Sequence, residues 1–107
     1  MEATINKKES FGEIINGDTP VLVDFSAEWC GPCKMMKPVL EELHKRMGSK
    51  ARILKIDIDQ SPAIAENLQI NSVPTLILFQ KGKSLWRQSG VLQASQLEKI
   101  ISSYATT

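Results

Sequence analysis

Cys30 and Cys33 are the only two cysteines in the chain, and they share the tetrapeptide Cys30-Gly31-Pro32-Cys33. Two thiols at that spacing can exchange disulfides: one attacks as a thiolate, and the other resolves the mixed disulfide that results. A bridge across so short a loop adds little stability by chain entropy. A framework of structural disulfides would instead spread cysteines along the sequence. The pair therefore points to chemistry rather than stapling.

Metal binding is the other chemistry open to two thiols. They supply half of a closed zinc site, which takes four ligands. The one histidine, His44, stands among Glu41, Glu42, Lys45 and Arg46 on a charged helix face. A complete site would have to be shared by two chains, so redox exchange is the favoured reading and no metal is expected.

The elements around the pair have to position it. Val21-Leu22-Val23-Asp24-Phe25 reads as a strand buried on both faces. A helical stripe, Met36, Leu40, Leu43 and Met47, begins near Cys33 and stops at Gly48. Pro38 inside it should kink the helix. Cys30 then lies just before the helix, where free N–H groups and the positive dipole end favour its thiolate and lower its pKa. Pro32 can start the helix. Cys33, one turn in, should be less exposed and act as the resolving thiol.

Further along, Ile53–Ile58 and Thr75–Phe79 read as buried strands, and Ser84–Gln88 as an antiparallel return after a turn at Lys81-Gly82-Lys83. Ser61-Pro62 starts a helix, with Ser61 as cap, that carries Ile64, Ala65 and Leu68. Leu97, Ile100, Ile101 and Tyr104 mark a last helix. Ser10-Phe11-Gly12-Glu13 fits a capping box with Phe11, Ile14 and Ile15 on one face, and Gly17 as a stop. Ala3 to Asn6 reads as a short edge strand. The order predicts an α/β fold, with a mixed sheet of four to five strands and four helices on its two faces. Ligand chemistry in such sheets collects at the carboxyl ends of parallel strands, where Trp29 to Lys34 fall.

The chain has 107 residues, 42% of them hydrophobic and 23% charged, which suits one globular domain spanning residues 1–107. A net charge of +1 with no Lys/Arg run beyond two argues against nucleic acid and anionic membranes as partners. Met1 to Lys8 lacks the apolar core of a secretory signal, and no apolar run could span a bilayer, so a cytoplasmic protein is expected.

From about Phe11 to Tyr104 the sequence resembles the thioredoxin family. Residues 23 to 34, Val-Asp-Phe-Ser-Ala-Glu-Trp-Cys-Gly-Pro-Cys-Lys, look like its active-site signature. Residues 55 to 59, Lys-Ile-Asp-Ile-Asp, resemble its next strand. Val73-Pro74-Thr75 matches its cis-proline segment, and Gly82 and Gly90 fall where it has glycines. Ser26 stands where many bacterial members carry Trp and others carry Ser. Trp86 reads as sheet-surface packing.

The resemblance implies a thioredoxin fold and a protein-disulfide reductase. It implies Cys30 as nucleophile, Cys33 as resolving thiol, and no bound cofactor beyond the redox-active pair. It assigns proton transfer to Asp24. This charge interrupts an apolar strand, as Lys55 does the next. Burial should raise the Asp24 pKa, and Lys55 opposes that shift if the two strands are neighbours. The alternative is an ion pair that only fixes strand register. Trp29, Gly31, Pro32, Val73, Pro74, Gly90 and Val91 would form an apolar rim for client proteins, with Val73 pairing to extended peptide. The implied partner besides disulfide-containing clients is a thioredoxin reductase that draws on NADPH, and the implied state is a monomer. An isomerase or oxidant on the same fold, or a rigid subunit without catalysis, are the competing readings.

Overall fold

Three apolar segments and one largely polar edge segment pair into one sheet in the computed structural model, which describes residues 10–106. They are β1 (Val21–Ser26), β2 (Arg52–Asp57), β3 (Thr75–Gln80) and β4 (Lys83–Ser89), in the spatial order β2-β1-β3-β4. β1 and β2 run parallel, as a strand–helix–strand unit requires. β3 is antiparallel to β1, and β4 to β3. The expected edge strand at Ala3 to Asn6 lies outside the described residues.

β1 and β3 bury all their residues because they hold the middle of the sheet and helices cover both faces. Alternation along the strands separates two cores. Leu22, Ile53, Leu76 and Leu78 face α2 (Gly31–Met47) and α4 (Ala94–Tyr104). Val23, Phe25, Leu54, Ile56 and Ile77 face α1 (Phe11–Ile15) and α3 (Pro62–Asn67). The stripe Met36, Leu40, Leu43 and Met47 seats α2 on the first face, and Leu97 and Ile101 seat α4 beside it. Truncating a fully buried member such as Leu40 would cost roughly 2–5 kcal/mol. Trp86 packs against this core from the sheet edge, as expected.

Helix ends follow local chemistry. Ser10 Oγ accepts from the Glu13 N–H at 3.1 Å, and the Glu13 carboxylate accepts from the Ser10 N–H at 3.2 Å, which completes the capping box. α2 begins at Gly31, two residues ahead of the expected start, and runs through Pro38 to Gly48, whose φ of 56° ends it. Ser61 does stand at the start of α3, but its side chain makes no capping bond. Its backbone, at φ −129° and ψ 60°, departs from the extended conformation from which a cap side chain reaches the second and third helical N–H groups. Tyr104 closes α4 yet is exposed, so it belongs to the helix but not to the core.

At the far end of β3 the buried Gln80 clasps the C-terminal segment. Its Nε2 donates to the carbonyls of Asp18 at 2.7 Å and Thr106 at 2.6 Å, while its Oε1 accepts from the Thr106 N–H at 2.8 Å. In the antiparallel register, Phe79 sits opposite Val21. Gln80 therefore lies beside the start of β1, at the end of the strands opposite Cys30.

Candidate active site

β1 ends at Ser26, and four residues later Cys30 occupies the N-cap of α2 with extended backbone, φ −92° and ψ 112°. Its sulfur accepts from the Cys33 N–H at 3.2 Å, taking the place a Ser or Asp oxygen fills at other helix starts. Pro32 lies in the first turn, where its missing N–H costs nothing. Cys30 and Cys33 form a disulfide, with Cα atoms 5.4 Å apart. The cysteines are 5% and 3% exposed, whereas Gly31 and Pro32 between them are exposed.

The expected rim residues are placed as follows. Val73 packs on the cysteines, with its carbonyl oxygen 3.6 Å from Cys30 Sγ. The Val73–Pro74 peptide is cis and Pro74 is buried. The Gly90 N–H donates to the Pro74 carbonyl at 2.8 Å, which brings Gly90 and Val91 alongside. Gly90 has φ 99°, a conformation that L side chains rarely adopt. Val91 is exposed, and Trp29 is 69% exposed. Trp29 does more than pack, because its indole N–H donates to Asp59 Oδ2 at 2.9 Å.

Two residues before the end of β1, Asp24 is 1% exposed and sits opposite Lys55 in the β1–β2 register. Partners in a parallel ladder project from the same sheet face, here the α2 face. Lys55 lines a cleft of about 620 Å³ together with Ser26, Glu28, Cys33, Lys34, Asp57 and Gln60. The cleft thus reaches Cys33 from the Lys55 side, while Val73 covers Cys30 from the other. Among the described residues, no group of three or more His, Cys, Asp or Glu side chains is arranged to hold a metal.

Sequence reasoning missed Ile58, which packs on the cysteines, and Asp59, which holds Trp29. It also missed hydroxyl bonds linking Ser72, Thr75 and Ser89 near the proline loop. Nothing in spacing or periodicity marks these residues, since each reads as an ordinary turn or strand position.

A mixed α/β sheet with a Cys-x-x-Cys disulfide at a helix start, after a central strand, defines a protein-disulfide oxidoreductase. The chain belongs to the thioredoxin family, whose model, Thioredoxin, matches residues 2–103. It is 49% identical over 89 residues to a thioredoxin-like protein of Synechocystis sp., covering 82% of this chain and 85% of that one. It is 47% identical over 97 residues to thioredoxin of Chlamydia trachomatis, covering 91% and 93%. A chloroplastic thioredoxin Y of Oryza sativa is 44% identical over 95 residues, which is 88% of this chain and 56% of that longer one. Among solved structures, a mutant thioredoxin from Halobacterium salinarum superposes with a TM-score of 0.82 at 33% identity, covering 99% of this chain and 92% of the other.

Proposed function

We propose that this protein is a general cellular reductant of protein disulfides, recharged by a thioredoxin reductase that draws electrons from NADPH. The observation that carries the reading is Cys30 at the N-cap of α2, with the Cys33 N–H aimed at its sulfur. That donor and the positive helix end favour the Cys30 thiolate once the pair is reduced. The same stabilisation suits a sulfur that must also leave.

The reaction has two steps. The Cys30 thiolate attacks one sulfur of a client disulfide, forming a Cys30–client bond and releasing the other client sulfur as a thiolate. Cys33 gives its proton to the Asp24 carboxylate and attacks Cys30 Sγ. This releases the second client thiolate and closes the Cys30–Cys33 disulfide. The client gains two electrons and the protein loses two. Asp24 suits the second step because it is buried on the sheet face covered by α2, the helix that carries Cys33. Lys55 lies across from it and borders the open cleft.

Clients dock on Trp29, Gly31, Pro32, Val73, Pro74, Gly90 and Val91, with the Val73 backbone pairing to extended peptide beside the client disulfide. The protein works as a monomer in the cytoplasm. Among the described residues no helix is long and apolar enough to cross a membrane.

The deciding experiment is turnover of a disulfide-bonded protein with NADPH and a thioredoxin reductase. Sustained NADPH oxidation that depends on this protein is expected. No turnover with any of several reductases, while dithiothreitol still reduces the pair, would remove the recharging half of the proposal.

A further inference from the structure

Three hydroxyls beside the proline loop close a ring of hydrogen bonds. Thr75 Oγ1 donates to the Ser72 carbonyl at 2.7 Å. A hydroxyl has one proton. In the 2.9 Å contact between Thr75 Oγ1 and Ser89 Oγ, Thr75 must therefore accept and Ser89 donate. With its proton committed, Ser89 accepts from Ser72 Oγ at 3.2 Å. The ring runs in one sense, from Ser72 to Ser89, from Ser89 to Thr75, and from Thr75 back to the Ser72 carbonyl. Bonds arranged this way polarise and reinforce one another.

The ring's place in the fold gives it a use. Ser72 and Thr75 flank Val73 and Pro74. Ser89 pairs with Thr75 across the β3–β4 ladder and precedes Gly90, whose N–H holds the Pro74 carbonyl. One hydroxyl ring thus joins the proline loop, whose Val73 borders Cys30, to the end of β4, and its only component from β4 is Ser89. Val73, enclosed by it, sets its carbonyl 3.6 Å from Cys30 Sγ.

We propose that Ser89 is a positioning residue for client binding: by closing the ring with Ser72 and Thr75 it fixes the Val73 backbone against which a client's extended peptide pairs. The inference rests on the reading of Val73 as a docking strand. Ser89 acts through Val73 and not on the sulfurs. Its loss therefore weakens capture of a peptide and leaves sulfur exchange with a small disulfide alone.

The ring also ranks its variants. Ser89→Ala removes two of the three bonds. Ser72→Ala removes one, because its carbonyl still accepts. Ser89→Thr keeps the hydroxyl in a residue that suits a strand.

The test uses the reduced full chain in single-turnover reactions. One substrate is a disulfide-bonded client peptide, another is the same peptide N-methylated beside its cysteine, and the third is a small aromatic disulfide. Ser89→Ala should raise the half-saturating concentration of the unmethylated peptide about fivefold, and Ser72→Ala about twofold, as loss of net hydrogen bonds predicts. Ser89→Thr should restore the wild-type value. The limiting rate and the rate with the small disulfide should hold in all three variants.

Unchanged half-saturation in Ser89→Ala would overturn the proposal, as would equal slowing with peptide and small disulfide. If the wild type takes both peptides equally, the docking role of Val73 fails instead. If the wild type distinguishes them while Ser89→Ala behaves as wild type, only the ring's role fails. Thermal melts check folding, and Ser72→Ala, on an exposed loop residue, keeps the comparison available should Ser89→Ala melt early.

Discussion

The indole N–H of Trp29 donates to the Asp59 carboxylate at 2.9 Å, a bond across thirty residues of chain that ties the exposed tryptophan before Cys30 to the loop after β2. Without it, a side chain 69% exposed would sample several rotamers. Asp59 therefore holds Trp29 in one orientation beside the disulfide.

Asp59→Ala should release the indole, change Trp29 fluorescence, and raise KM for a protein client about threefold with little effect on kcat. Asp59→Asn keeps an acceptor oxygen and should fall between. Trp86 adds a constant fluorescence background, so a Trp86→Phe parent isolates the signal. An unmoved spectrum in Asp59→Ala would show that packing alone holds the ring.

Cys30→Ser should abolish exchange, because the attacking thiolate is gone. Cys33→Ser should still attack but fail to resolve, so mixed disulfides through Cys30 should accumulate on clients. Peptide mapping of trapped complexes by mass spectrometry checks the assignment. Linkage through Cys33 in the Cys30→Ser protein would reverse the two roles.

Asp24→Asn keeps the shape of a side chain 1% exposed and removes its charge. Replacing a charge that is costly to bury can stabilise a fold, and a net gain in stability is expected here. Lys55 offsets little of this, since it borders an open cleft and its long stem can reach solvent. The same change should slow resolution of the mixed disulfide by about 10- to 100-fold, because no carboxylate then takes the Cys33 proton. Denaturant melts and single-turnover rates near neutral pH measure both effects. A less stable variant exchanging at the wild-type rate would leave Asp24 a purely structural role.

Gly90→Ala tests the backbone of the rim. A Cβ there would meet nothing within 4 Å, so crowding adds no cost. The φ of 99° carries the penalty, about 1–3 kcal/mol for a residue with a side chain. Shifting that backbone also disturbs the 2.8 Å bond from Gly90 to Pro74, so KM for a protein client should rise alongside the loss of stability. Melting and client kinetics on one sample decide whether the two effects move together.

Legibility in the sequence followed the range of the interaction. Val21–Phe25 and Thr75–Phe79 announce buried strands because both of their faces are covered, and a continuous apolar run is the local trace of that. Cys30 and Cys33 are legible because their chemistry needs both within one helical turn. Asp24 and Lys55 stood out as charges inside apolar runs, and the ladder sets them opposite each other. The Trp29–Asp59 bond and the Ser72–Thr75–Ser89 ring left no such trace. They join segments that lie apart in the chain, Trp29 to Asp59 and the proline loop to Ser89, so no local spacing or periodicity records them. Ser61 shows the opposite error: a helix-start residue type in the correct position, with no bond made by its side chain.

The clasp of Gln80 on Thr106 gives the molecule two poles. Anything tethered beyond that threonine, whether a fused domain, a bead or an electrode surface, hangs at the end away from the sulfurs. A cargo attached there would leave Trp29 and Val73 open to approach, whereas one grafted at Val91 would stand in the way.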